Sequence, residues 1–196
     1  MDGPLKALLL LCGAGLDARP WTALKQLGLP PDFLWCGGAS VMQLLPLGEK
    51  GSERIRALEA ADWAEKEYEA CLKRNVRLVL YGSDDYPQAL YELQQPPALL
   101  YWQGAAQTLS GRTVGVVGTR RNTPYGREVA FSIGGECALR HTAVVSGGAL
   151  GIDGASHAGA IEAGGVTFAV FGTGIDVVFP SEHGQKKKKI RENGAV

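Results

Sequence analysis

Four cysteines, three histidines and no long apolar run mark what this 196-residue chain does without. Cys12, Cys36, Cys71 and Cys137 are widely spaced, with no CxxC and no histidine pair nearby, so no zinc site is expected. His141 and His183 also have no partners at ligand spacing. The cysteines read as small apolar side chains in a reducing compartment. Leu8–Leu11 is too short to span a bilayer, and a signal peptide's basic start and cleavage site are missing. A cytoplasmic protein is expected. Net charge is absent as well, because 20 Lys and Arg balance 20 Asp and Glu. That balance excludes a protein that binds by bulk charge alone. The halves still differ: residues 1–104 hold 10 basic against 13 acidic side chains, and residues 105–196 hold 10 against 7. An anionic partner for the second half follows.

Nucleotide fingerprints are missing too. Neither GxGxxG nor GxxxxGK[ST] occurs. An NAD site would want a carboxylate at the end of its second strand, where Ser146-Gly147 stands, although nearby arginines leave NADP open. What the chain does have is a rhythm. Val114–Val117, Thr142–Val145 and Val166–Phe171 read as buried strands, with helix-length segments near 124–140 and 151–163 between them. β-Branched runs spaced this way predict a parallel sheet with crossover helices, in which ligands sit beyond the carboxyl ends of the strands.

Each strand leaves through a small-residue turn: Gly118-Thr119-Arg120-Arg121, then Ser146-Gly147-Gly148-Ala149, then Gly172-Thr173-Gly174. Glycine lets a sugar-phosphate backbone approach, helix-start amides attract anions, and a guanidinium adds a bidentate phosphate contact. Arg120 ranks ahead of Arg121 because it stands nearer the strand end. Three such exits side by side suit an extended polyanion. Lys186 and the rest of the run to Lys189 could add phosphate contacts, though a lysine run is usually a solvated face. Ser146, Asp153 and His157 could suggest a hydrolase triad. Asp153 sits well as a first-turn cap, however, and a lone histidine is usually structural, so no catalytic residue is expected.

Residues 1–75 read as a small all-α domain, and 76–196 as the α/β domain. Helices are expected over Leu5–Leu11, Pro20–Leu27, roughly 32–45, and Ser52–Arg74 as one long helix. Trp21, Trp35 and Trp63 fall in helical patterns and read as core. Arg77–Tyr81 and Leu99–Trp102 are further strands, with a turn at Gly82–Pro87 and a helical turn at Ala89–Gln94. Gly194-Ala195-Val196 stands where a fourth strand of the main sheet would begin.

Several of these pieces, in order over residues 77–183, resemble the DprA (Smf) family of DNA-processing proteins of natural transformation. They are Asp85-Tyr86-Pro87, Pro96-Pro97, Val116 to Arg120 with Tyr125-Gly126, Ser146 to Asp153 with His157, and Gly172 to Asp176 with Phe179-Pro180. The resemblance implies an extended Rossmann-like fold preceded by a SAM-like or helix-hairpin-helix domain. It also implies single-stranded DNA binding without catalysis or cofactor, loading of RecA, and a homodimer. The family's strand-binding pocket falls on Gly118, Thr119 and Arg120, on Ser146 to Ala149, and on Gly172 to Gly174. Relatives continue with further strands, so this chain is expected to be incomplete at its C-terminal end, with one sheet edge exposed. Lys186 stands where relatives usually have a core leucine, and Phe179 replaces the more usual tyrosine. The rival readings are a phosphoribohydrolase-like nucleotide enzyme, whose PGGxGT turn is absent, and a scaffold acting through the helical domain.

Overall fold

The computed structural model describes residues 3–15, 48–177 and 184–196, without the side chains of Pro4 and Lys186. The helices expected over 20–27 and 32–45, Trp21, Trp35 and the Phe179-Pro180 pair lie outside the described residues. The chain forms two compact units, residues 1–100 and 101–196. No helix among the described residues is long and apolar enough to cross a membrane.

In the first unit, α1 (Gly3–Gly13) carries an apolar run, Ala7 to Leu11, that is buried throughout. Two more helices pack with it, α2 (Gly48–Ala60) and α3 (Trp63–Lys73). The single helix expected over Ser52–Arg74 is therefore broken. Asp62 adopts a left-handed conformation (φ 51°, ψ 37°), one of the few non-glycine residue types that tolerate it. The break lets the Trp63 ring fill the space beside Gly13, while Lys6 Nζ reaches Glu65 Oε1 at 2.5 Å.

Strands β1 (Arg77–Leu80) and β2 (Leu99–Trp102) form a two-stranded sheet, and a short 3-10 turn, Gln88–Glu92, lies between them in sequence. Asp85 pairs with Arg77. Tyr86 is 1% exposed, clusters with Tyr81 and Tyr91 at ring-centroid distances of 5.3 and 4.9 Å, and donates its hydroxyl to Pro97 O at 2.8 Å. The Asp-Tyr-Pro turn is thus a packing device.

The second unit holds the parallel sheet, in the order β3 (Thr113–Gly115), β4 (Ala143–Ser146), β5 (Thr167–Ala169). Val114 faces Val144, and Val145 faces Phe168. The crossovers are α4 (Pro124–Leu139) and α5 (Ile152–Glu162), within one or two residues of the expected bounds. They touch where a glycine of one helix meets a backbone carbonyl of the other, Gly134 meeting Ser156 O and Gly159 meeting Phe131 O. Val116, Val144 and Ala160 form a core between sheet and helices. Phe168, whose ring centroid is 5.6 Å from that of Trp102, lies on the strand positions that alternate with Val144 and Thr167.

The last helix, α6 (Gly184–Asn193), leads to a fourth line of pairing. Ala195 bridges Phe168 in parallel and Gly104 in antiparallel fashion, and Val196 exchanges two backbone hydrogen bonds with Gln103. The far side of β5 is therefore covered, and the outer strand among those described is β3. Its sequel Val117 is 81% exposed.

Two expectations follow. Gly159→Ala should cost about 2 kcal/mol or more in denaturant unfolding, because a methyl there meets a backbone carbonyl that cannot swing aside. Burial raises the Tyr86 pKa, with help from Tyr91 and Tyr81. The folded chain then keeps a proton that the unfolded chain releases above about pH 10, so stability falls as pH rises past that point. Tyr86→Phe should lose about 1–2 kcal/mol near neutral pH, by leaving Pro97 O unpaired, and should show a shallower alkaline decline.

Candidate nucleic-acid interface

Strand pairing sets the site. Ser146 ends β4 and is buried; its Oγ donates to Val116 O at 2.5 Å, and its carbonyl accepts from Val170 N at 2.9 Å. One residue thereby joins the ends of all three strands. Ser146, which the resemblance puts in the strand-binding pocket, thus turns its hydroxyl inward as a clasp.

From these ends the three loops leave side by side. The first and second meet at Gly151, where Ile152 N–H donates to Thr119 O at 3.3 Å. Gly151 has φ 85°, and a Cβ there would stand 2.9 Å from Arg120 Cα, so only glycine serves. The second and third loops meet at Gly148 (φ 67°), whose missing side chain leaves room for the Phe171 ring. Gly118, Thr119, Arg120, Arg121, Gly147, Gly172, Thr173 and Gly174 are exposed, Ala149 is half-buried and Gly148 is buried. Arg120 thus stands on the same side as the second and third exits. Lys186 lies on α6, but its side chain is outside the described residues.

The exits differ electrostatically. Thr123 caps α4, accepting from Gly126 N at 3.1 Å, Pro124 opens the helix, and its first turn holds no acid. Among the described residues, neither Arg120 nor Arg121 makes a side-chain hydrogen bond or ion pair. A helix start and two unengaged guanidinium groups together invite an anion. The start of α5 is different, because Asp153 is buried in its first turn, with Oδ2 beneath Gly147. That carboxylate already answers part of the helix's positive end. The first exit therefore keeps more of its positive charge unanswered than the second.

His157 Nδ1 lies 2.7 Å from Thr167 Oγ1. The Thr167 hydroxyl has one proton and spends it on Val144 O at 3.0 Å, so His157 Nδ1–H is the donor. Ser146 and His157 thus both hydrogen-bond to neighbouring strands. No group of three or more His, Cys, Asp or Glu that could hold a metal ion occurs among the described residues. Sequence reasoning missed Phe171, which positions the second loop, and the coupling of Gly151 to Thr119. The Thr123-Pro124 cap was readable as a cap-and-proline pair.

The sequence profile of DNA recombination-mediator protein A matches residues 77–196. A DprA protein of Mycobacterium tuberculosis is 30% identical over 201 residues, covering 91% of this chain and 52% of its own. DprA of Bacillus subtilis is 38% identical over 112 residues, 57% of this chain and 38% of that one. The crystal structure of Streptococcus pneumoniae DprA covers the whole chain with a TM-score of 0.78 at 25% identity, using 67% of its own length. A Helicobacter pylori DprA structure, described for its single-stranded DNA binding mode, covers 61% of this chain and 54% of its own at 28% identity and a TM-score of 0.53. The chain spans about half the length of the first of these relatives. With three glycine-lined exits on one parallel sheet and a profile match over most of its length, the chain belongs to the DNA recombination-mediator protein A family, DprA.

Proposed function

We propose that this chain binds single-stranded DNA across the three strand exits and acts as a recombination mediator without catalysing a reaction. The observation that carries this is the first exit, where Arg120 and Arg121 stand uncommitted beside the acid-free start of α4. Phosphates would lie on the exposed glycine amides of Gly118, Gly147 and Gly172 to Gly174, with Arg120 as the principal cation and Arg121 and Arg127 adding field. Backbone and arginine contacts read phosphate and not base, so affinity should vary little with sequence. The choice of DNA is supported by family membership and by the described binding mode of the Helicobacter pylori relative. Absence of catalysis is supported by the hydrogen bonds that occupy Ser146 and His157.

The same reading takes the recombinase RecA as the downstream partner, on the strength of the family's description as a mediator. It keeps the homodimer that the family resemblance implies as the working form. Residues 1–75 would be a separate helical module, since the family match begins at residue 77. The widely spaced cysteines, without a CxxC pair, suit work in the reducing cytoplasm.

Fluorescent oligo-dT titrated at several salt concentrations, with duplex DNA and ATP as controls, tests the proposal. The wild-type chain should prefer oligo-dT over both. Arg120→Ala should weaken binding for every oligonucleotide sequence and reduce the slope of log affinity against log salt by about 1. Unchanged affinity in that variant would remove the first exit from the site.

A further inference from the structure

The lysine run of α6 is not one surface. Lys188 and Lys189 are exposed, and Lys188 lies 3.9 Å from Glu192, whereas Lys187 is 6% exposed. Ile190, one turn on, is 3% exposed, so Lys187 and Ile190 are the inward positions of the helix. A buried ammonium must find partners for its protons. The Lys187 partners are main-chain: Nζ donates to the carbonyl of Ile175 and, at 3.3 Å, to that of Val177. It also sits 5.0 Å from the centroid of the Phe171 ring.

These contacts bracket the third exit. Phe171 precedes Gly172-Thr173-Gly174, and Ile175 and Val177 follow it. Within the loop, Val177 N–H donates to Gly174 O at 2.9 Å. The loop has no strand or helix of its own. Its leading limb is held by Phe171 beside Gly148, and its trailing limb by one lysine from a distant helix. Burial lowers the Lys187 pKa, as does Arg191 on the same helix, while the carboxylate of Asp176 opposes the change.

We propose that Lys187 is a positioning residue of the DNA-binding site: it sets the shape of the third phosphate loop from beneath and touches no phosphate itself. This rests on the assignment of the three exits as the DNA site. It distinguishes Lys187 from Lys188 and Lys189, whose side chains are exposed.

The test uses the full chain with Lys187→Met, Lys187→Gln and Lys188→Met, read by hydrogen exchange over residues 172–177 and by oligo-dT titration against salt. Lys187→Met should speed exchange in that loop in the free protein. It should also raise the oligo-dT Kd about threefold or more, as the binding-competent loop becomes less populated. Because no phosphate contact is lost, its salt slope should stay that of the wild type. Lys187→Gln keeps N–H donors without the charge and should fall between the two; it also carries the test if the methionine variant does not fold. Lys188→Met should leave loop exchange unchanged. A salt slope reduced by about 1 in Lys187→Met would mean direct phosphate contact and overturn the proposal. So would unchanged loop exchange in Lys187→Met, or in Lys187→Gln if only that variant folds. If Arg120→Ala binds normally while Lys187→Met still loosens the loop, the DNA-site assignment fails and the loop-holding role stands.

Discussion

The carboxyl end of β4 is the constraint on which the second unit depends. Ser146 holds Val116 through its side chain and Val170 through its carbonyl, so three parallel strands finish level with one another. A parallel sheet puts every strand exit and every following helix start at the same end. Once the ends are level, the three loops have no choice but to be neighbours. Glycine at 148 and 151 then lets them close on each other without side chains in the way. The helix layer repeats the same logic, since α4 and α5 meet backbone to backbone at Gly134 and Gly159.

The resulting trough is uneven in charge. At its first exit, two guanidinium groups and a helix start free of acid leave positive potential unanswered. At the second, Asp153 has been taken inside and supplies the negative charge locally. At the third, an ammonium sits below the loop and bonds to its carbonyls. A polyanion lying across all three would be gripped most firmly at one end. The zero net charge of the chain is no obstacle, because the potential arises from where charges stand and from which of them are already paired.

Residues that look chemically eloquent in this family pattern turn out to do different kinds of work. Tyr86 and Asp85 organise a turn in the first unit through a buried hydroxyl and an ion pair with Arg77. His157 and Thr167 form a buried chain of hydrogen bonds that ends on the β4 backbone. Gly151 and Gly148 are where two loops pass each other. Among the described residues of the three exits, the arginines, Thr119, Thr173 and the exposed glycines remain open to a ligand. Of the serine, aspartate and histidine near the second strand exit, Ser146 and His157 hydrogen-bond to neighbouring strands, and Asp153 lies buried in the first turn of α5.

Local chemistry alone was enough for the elements of the sheet. β-Branched runs, helix-length spacers and glycine at each strand end are effects of neighbours in sequence, and they located β3, α4, β4, α5 and β5 to within a few residues. The helix break at Asp62 was invisible, because nothing in its neighbours forbids a continuous helix; the gain comes from seating Trp63 against Gly13 on another segment. The inward turn of Ser146 and the burial of Lys187 were equally hidden. A hydroxyl or an ammonium takes its partner from whatever backbone lies nearest in space, here Val116, 30 residues away, and Ile175, 12 residues away. Sequence therefore determined which segments form strands, helices and anion-tolerant turns. Tertiary structure decided which polar groups those turns keep for themselves, since that depends on distances that only packing creates.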